Sequence, residues 1–283
     1  MKLLRFGQKG HEKPGILLTN HKIADVSNHF ADFDEKFFEA HGLKKLSQTD
    51  LTKCNTIDYN PALRLGSCIA RPSKIVCIGL NYIDHAKETN SPIPKEPIIF
   101  FKSTTALNGP NDPVTIPRGS EKTDWEVELA IVIGKKATYI PENEAYEYIA
   151  GYTLHNDYSE RAYQLERGGQ WDKGKGCDTF APLGPYLATK DEIADVHNLK
   201  LWLKVNGHTM QDGTTANLIF NIPFIVSYVS QFMTLLPCDV ISTGTPAGVG
   251  LGFKPPIFLK PGDVVELGID GLGVQKQQLV PYT

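Results

Sequence analysis

The sequence predicts a β-rich α+β protein that is built on a curved, rolled sheet and carries a small N-terminal α+β unit. Short runs of β-branched, aliphatic and aromatic residues are numerous and end at glycine or proline. Long helical stretches are few. Asn206-Gly207 and Asp270-Gly271 are typical of tight turns between antiparallel strands. Many strands with few long helices favour a sheet-based domain over a helical one.

Composition and charge narrow the class of protein. A chain of 283 residues allows one large domain with a small appendage. Its 41% hydrophobic and 22% charged residues are enough to bury a core in the ordinary way. The net charge of -3, without a basic block, argues against nucleic acid or an anionic membrane as partner.

Cysteine usage and hydropathy indicate the compartment. The five cysteines are odd in number and form no Cys-x-x-Cys pair, which disfavours structural zinc and a disulfide framework. No apolar run approaches a membrane span, and charge occurs too early at the N-terminus for a signal peptide. We therefore expect a soluble cytoplasmic protein with reduced thiols.

Residues 1–70 are predicted to form the small N-terminal domain. Residues 3–6 and 15–18 are short strand candidates, and residues 32–40 can form a short helix. Arg71-Pro72-Ser73 is typical of a boundary, so residues 71–283 are expected to form the main domain.

The main domain begins with a buried strand over residues 74–79 and a helix over residues 82–89. Asn81 is expected to cap this helix. His85 and Glu88, three residues apart, share a helix face and could be a base with its orienting carboxylate. A surface ion pair explains the same spacing. Because prolines follow at 92, 94 and 97, the next segment is expected to be a surface loop that could act as a lid.

Residues 123–134 are predicted to form one strand on which Glu126 and Glu128 point the same way. Side chains alternate along a strand, so Trp125, Val127 and Leu129 point to the opposite side, into a core. Two neighbouring carboxylates repel each other and lose hydration energy when they are buried. Water or a cation must therefore compensate them.

Asp157 follows a further strand over residues 151–156 and could join the two glutamates. Carboxylate oxygens suit magnesium, manganese or calcium rather than zinc. Ser159 is expected to cap a helix over residues 160–167. Asp157 could instead be only a neighbour of that cap.

A glycine-bearing loop over residues 168–176 contains Lys175. Its first part matches a phosphate-binding loop, but Gly176 stands where magnesium needs a Ser or Thr, which argues against a nucleotide site. Lys175 could balance a developing anion or simply be solvated.

Four ordered motifs together resemble the fumarylacetoacetate hydrolase family over about residues 72–280. They are residues 79–88, Glu126-Val127-Glu128, residues 156–161 and residues 243–250. The stretch 164–175 is similar to the acylpyruvase-like branch that acts on 2,4-diketo-3-deoxy sugar acids. Related members are often named ureidoglycolate lyases.

The resemblance implies a mixed β-roll, a homodimer, and Mg²⁺ or Mn²⁺ on Glu126, Glu128 and Asp157. It also implies that His85 and Glu88 activate water under a lid. The substrate would be a small 2-oxo acid. The residues that would contact it are Arg161, Gln164 and Lys175 at its 2-oxo acid end and Thr245 at its carboxylate. Leu80 stands where many members carry arginine.

The sequence thus predicts a hydrolase that cleaves the C–C bond of a 2,4-dioxo acid, such as 2,4-diketo-3-deoxy-L-fuconate, and releases pyruvate. Lys175 would stabilise the enolate that leaves. Two alternatives within the family are oxaloacetate decarboxylation and ureidoglycolate cleavage. A non-catalytic binding protein on the same fold is the third.

Overall fold

The computed structural model describes residues 1–283 and contains nineteen strands and six α-helices. The strands are Lys2–Phe6 (β1), Lys13–Leu17 (β2), Lys22–Asp25 (β3), Thr56–Asp58 (β4), Ile75–Gly79 (β5), Ile98–Lys102 (β6), Leu107–Asn108 (β7), Val114–Ile116 (β8), Thr123–Asp124 (β9), Val127–Ile133 (β10), Ile149–Asn156 (β11), Ser159–Glu160 (β12), Ala181–Pro182 (β13), Leu187–Thr189 (β14), Lys200–Val205 (β15), His208–Thr214 (β16), Val240–Ser242 (β17), Val264–Ile269 (β18) and Gly273–Pro281 (β19). The α-helices are Glu35–Glu39 (α1), Gly42–Ser47 (α2), Ile83–Glu88 (α3), Arg161–Leu165 (α4), Asp172–Lys175 (α5) and Ile222–Ser230 (α6). The predicted β-rich α+β class is confirmed.

Ten strands form the main sheet, in the order β4-β3-β2-β1-β14-β11-β10-β17-β5-β6. Most neighbours are antiparallel, while β17 and β5 are parallel, so the sheet is mixed. The N-terminal strands belong to this sheet, because Lys2 pairs with Ala188 and Leu3 with Leu187. Residues 1–70 therefore extend the main sheet, and their status as a separate domain stays a prediction.

A second sheet of five strands, in the order β16-β15-β18-β19-β8, contacts β10 and β11 of the first. Both predicted hairpins are present, with Val205 paired to His208 and Ile269 paired to Gly273. One continuous hydrophobic core fills the space around these elements. The central strand β10 is buried along its whole length.

The predicted single strand over residues 123–134 is interrupted. Backbone pairing stops after Asp124 in β9 and resumes at Val127 in β10. At the gap, the Glu126 N–H donates to the Asn156 side chain at 3.1 Å instead of to a strand carbonyl. The Glu126 and Glu128 side chains still converge on one place, as the alternation predicts.

Two helix caps differ from the prediction. Asn81 does not cap α3, whose first flanking residue is Tyr82 without a side-chain bond. The Asn81 amide instead donates to the carbonyls of Phe220 and Thr243, so long-range contacts hold it. Glu160, not Ser159, caps α4 by accepting from the Tyr163 N–H at 2.6 Å. Helix α4 ends at Leu165 rather than near 167.

One predicted loop contains a helix. The loop that carries Lys175 includes the short helix α5, and Lys175 is buried. Six short 3-10 helices complete the secondary structure. They are Leu51–Lys53, Thr104–Ala106, Glu142–Tyr148, Lys190–Glu192, Thr215–Asn217 and Gly250–Gly252. None of the helices is long and apolar enough to cross a membrane.

Candidate active site

Glu126, Glu128 and Asp157 form a buried carboxylate cluster, with one oxygen from each lying within 4.8 Å of the others. Strand pairing brings them together. Val127 of β10 pairs with Asn156 of β11, and the Asp157 N–H donates to the Glu126 carbonyl at 2.9 Å. Residues on either side of a paired position share the opposite face. The two glutamates and the aspartate therefore meet on one face of the sheet.

Three cationic side chains contact this cluster. The Lys175 ammonium lies 2.7 Å from Glu126 Oε2 and 2.9 Å from Asp157 Oδ2. Arg161 Nη2 lies 2.8 Å from Glu126 Oε1. Lys102, at the end of β6, donates to Asp157 as well. Lys175 is thus an ion-pair partner rather than a solvated lysine.

The cations set the charge state of two carboxyls. Burial raises the pKa of Asp157, but Lys102 and Lys175 outweigh it and bring that pKa well below its usual range. Burial likewise raises the pKa of Glu126, while Lys175 and Arg161 lower it further than burial raises it. Both groups are therefore held as carboxylates.

Glu128 has no cationic partner. Its Oε2 accepts from the Ser242 hydroxyl at 2.5 Å and from the Gly244 N–H at 2.9 Å, both neutral donors. Burial, followed by the charges of Asp157 and Glu126, raises its pKa well above the usual range. A cation among the three carboxylates would relieve this unfavourable charge.

The donor set fits a hard divalent ion such as Mg²⁺ or Mn²⁺, because it consists of oxygens only. Behind Glu128, the buried His155 ring contacts the Ser242 hydroxyl through Nδ1 at 2.7 Å. Burial lowers the pKa of His155 to about 3, so this ring is neutral at physiological pH. It supports the orientation of Ser242 without adding charge to the cluster.

His85 and Glu88 face each other on α3, with His85 Nδ1 at 3.3 Å from Glu88 Oε2. The other oxygen of Glu88 accepts from the Gly248 N–H at 2.9 Å. Gly252 packs directly against Glu88, and only a glycine fits there, because a Cβ would lie 2.4 Å from the Glu88 carboxyl carbon. The glycine-rich segment 244–252 therefore fixes Glu88 behind the imidazole.

Arg161, Gln164 and Thr245 lie beside the cluster. Arg161 Nε donates to Asp124 at 2.8 Å, and Nη1 donates to Gln164 Oε1 at 3.0 Å. The Thr245 hydroxyl is used internally, donating to the Val127 carbonyl and accepting from Gln211. Its backbone N–H donates to no acceptor within the chain.

A cleft of about 270 Å³ joins these groups. Its walls include most of the residues that the sequence singled out, namely His85, Glu126, Glu128, Arg161, Gln164, Lys175 and Thr245. Glu88 lies behind His85 and Asp157 beneath Lys175, so neither reaches the wall itself. A larger cleft of about 750 Å³, lined by Phe38, Lys44 and Lys135 among others, contains none of the candidate residues.

Sequence reasoning missed three residues of this site. Lys102 ends an apolar strand, and nothing near it in sequence indicates a carboxylate partner. Asp124 holds Arg161 and also accepts from the N–H groups of Gly250 and Leu251. Its position two residues before Glu126 is a signal that strand alternation could have used. Trp171 packs edge-on against Phe100, with ring centroids 5.4 Å apart, and lines the cleft.

The fold and the site together define the class of protein. It is a β-rich enzyme whose buried carboxylate oxygens could hold a divalent metal ion. The family described as fumarylacetoacetate (FAA) hydrolase, C-terminal, matches residues 74–280. A Burkholderia ambifaria protein, whose name proposes a hydrolase without a substrate, is 52% identical over 278 residues, or 98% of each chain. This chain belongs to the fumarylacetoacetate hydrolase family.

Solved structures agree with this assignment. The fumarylacetoacetate hydrolase from Exiguobacterium antarcticum is 32% identical, with a TM-score of 0.88 and full coverage of both chains. Maleylpyruvate hydrolase from Sphingobium sp. SYK-6, in complex with manganese and pyruvate, is 28% identical, with a TM-score of 0.83 and full coverage of both. A structure from Mycobacterium abscessus described as a 2-hydroxyhepta-2,4-diene-1,7-dioate isomerase is 31% identical over the full length of both chains, with a TM-score of 0.84. The activity class of this chain is therefore that of the hydrolases and isomerases of this family.

Proposed function

We propose that this protein is a hydrolase, dependent on Mg²⁺ or Mn²⁺, that cleaves the C3–C4 bond of a 2,4-dioxo acid and releases pyruvate. One observation carries the proposal. The carboxylate cluster, with Lys175 and Arg161 on it, shares a cleft with His85. The maleylpyruvate hydrolase neighbour, which holds manganese and pyruvate, supports the same metal class and product.

The substrate's 2-oxo acid end would lie against the cluster. Arg161 is suited to receive it, because Nη2 is buried and lacks a well-directed hydrogen bond although Glu126 is near. The free N–H of Thr245 offers a second donor. A bound divalent ion would supply Lewis-acid polarisation of the 2-oxo acid.

His85 would act as the general base. Its Nδ1 faces Glu88, so Nε2 is the nitrogen that can take a proton from water. The resulting hydroxide attacks the C4 carbonyl carbon, and Glu88 stabilises the imidazolium. Because Gly248 holds Glu88, the ring keeps its orientation during the transfer.

Cleavage then moves the C3–C4 bond electrons onto the three-carbon fragment. The fragment leaves as the enolate of pyruvate, and the positive charge of Lys175 stabilises it. Protonation at C3 gives pyruvate, and the tail leaves as a carboxylic acid. One water molecule is consumed for each bond that is broken.

Two kinds of substrate tail fit this reaction: a simple acyl chain, and the deoxy-sugar chain that the resemblance of residues 164–175 implies. Oxaloacetate decarboxylation and ureidoglycolate cleavage are rival reactions at the same cluster. Hydrolysis is favoured by His85 in the cleft wall with Glu88 behind it, since a decarboxylation needs no activated water.

The test is product analysis in H₂¹⁸O. With Mn²⁺ and a 2,4-dioxo acid, we expect equal amounts of pyruvate and the tail acid, with one ¹⁸O in the new carboxylate. Carbon dioxide release from oxaloacetate, without cleavage of any 2,4-dioxo acid, would identify the protein as a decarboxylase instead.

A further inference from the structure

We infer that the tail of the substrate beyond C4 is uncharged and apolar, and that the cleft excludes a second carboxylate. This inference rests on the proposed function and adds the chemical class of the tail. It depends on three features of the cleft. They are its charge balance, its apolar walls and the hydrogen bonds that its polar groups already form within the protein.

The charges around the cluster leave room for one substrate anion only. When all four carboxyls are ionised, Asp124 included, three buried cations oppose them and the sum is one net negative charge. The cations are Lys102, Arg161 and Lys175. A divalent ion would change this to one net positive charge, which the substrate's own carboxylate neutralises. A second carboxylate would be buried without a cationic partner.

The remaining walls are apolar. Trp171 lies over Gly79, where a Cβ would come within 2.5 Å of the indole ring, and it packs against Phe100. The Lys175 ammonium lies 5.0 Å from the centre of the Phe100 ring, so this aromatic pair begins directly beside the cluster. The other apolar wall residues are Ile78, Leu80, Leu165, Val249 and Leu251.

The polar groups of the cleft are mostly engaged. The Thr89 hydroxyl contacts the His85 carbonyl at 3.0 Å and the Ser91 hydroxyl at 3.0 Å. The Thr245 hydroxyl is bonded to backbone and side chain, as described above. Because the Thr89 and Ser91 hydroxyls bond each other, these two side chains together offer a tail at most one free proton. A tail with several hydroxyls would bury some of them without partners, at a cost of roughly tenfold or more in affinity for each.

The volume favours a short tail. At about 270 Å³ the cleft is below the range of roughly 300–1,000 Å³ that is typical of sites for drug-sized ligands. Leu165, which is 47% exposed and follows Gln164 directly, lies at the mouth. A side chain introduced at this position can therefore reach the end of a tail without entering the core.

The experiment compares three acids of equal chain length: 2,4-dioxoheptanoate, its 5,6-dihydroxy derivative and 2,4-dioxoheptanedioate. With Mn²⁺, we expect kcat/KM for the first to exceed that for each of the others by at least about tenfold. Leu165→Arg should improve kcat/KM for the dicarboxylate by about tenfold relative to 2,4-dioxoheptanoate, and Leu165→Gln should not. Equal or higher kcat/KM for the dicarboxylate or the dihydroxy acid in the wild-type protein would overturn the inference.

A binding measurement separates this inference from the proposed reaction. 2-Oxoheptanoate and 2-oxoheptanedioate lack the C4 carbonyl and cannot be cleaved, so calorimetry with the Mn²⁺-loaded protein reports the tail preference alone. Tighter binding of 2-oxoheptanoate, without cleavage of any dioxo acid, would refute the reaction and support the tail class. Equal or tighter binding of 2-oxoheptanedioate would refute the tail class whatever the reaction.

Discussion

His85 and Glu88 show, at the scale of single residues, how a short helix can place a base. They are one turn apart on α3, and the imidazole is almost fully buried. Glu88 is held from outside the helix by Gly248. The spacing alone could not distinguish this pair from a surface ion pair, because the second partner is distant in sequence.

His85→Ala should lower kcat by about 10²–10⁴-fold, the usual contribution of a general base. Mn²⁺ affinity should stay near that of the wild type, since His85 is not part of the carboxylate cluster. Steady-state kinetics and Mn²⁺ titration measure the two quantities. His11→Ala, at an exposed histidine, serves as the control. Turnover like that of the wild type would reduce the pair to a structural contact.

At the scale of elements, the glycine-rich segment 244–252 serves both halves of the site. Gly244 donates to Glu128 and Gly248 donates to Glu88. The segment is itself anchored, because the Trp125 indole donates to the Gly248 carbonyl at 3.0 Å. One loop thus fixes the relative positions of the carboxylate cluster and the His85–Glu88 pair.

Gly252→Ala should reduce kcat by roughly tenfold or more, because the added Cβ would displace the Glu88 carboxylate. Mn²⁺ binding should change little. The same substitution in a Glu88→Ala background should cost much less, since contacting residues are not additive. An equal loss of kcat in both backgrounds would show that Gly252 acts through something other than Glu88.

The segment that follows α3 is expected to act as a lid, as the sequence predicts. Tyr228 of α6 donates to Glu96 at 2.6 Å and gives this segment one exposed tether. Hydrogen exchange over residues 84–96 should slow when Mn²⁺ and oxalate are added, because closure buries backbone amides. Equal protection in both states would mean that the segment is a fixed wall of the cleft.

At the scale of the whole molecule, the N-terminal strands are part of the sheet that carries the cluster. β1 pairs with β14, which pairs with β11, the strand that leads to Asp157. Phe33 and Cys68 are fully buried in the common core. Homodimer formation, which the family resemblance implies, stays a prediction.

A chain truncated to residues 71–283 should therefore fold poorly. It would expose the edge of β14 and the apolar surface that the first strands cover. Circular dichroism and thermal unfolding of the truncated and full chains test this. A truncated chain with the melting temperature of the full protein would establish residues 1–70 as an independent appendage.

The parts of this site that the sequence predicted are local in origin. The common face of Glu126 and Glu128 follows from the two-residue period of a strand, even though the strand is interrupted beside them. The roles of Lys102 and Asn81 could not be predicted in this way. Their partners, Asp157 and Thr243, are far along the chain and meet them only through the order of strands in the sheet.

The measurement that tests the central claim most directly is a Mn²⁺ titration of chelated protein that follows bound metal and pyruvate release together. We expect both to rise in parallel and saturate at one ion per chain. Glu126→Gln should weaken binding by at least about tenfold and abolish pyruvate release, because it removes one of three charged ligands. Full pyruvate release from the chelated wild-type protein, or unchanged Mn²⁺ binding and activity in Glu126→Gln, would contradict the claim that these carboxylates hold a catalytic metal.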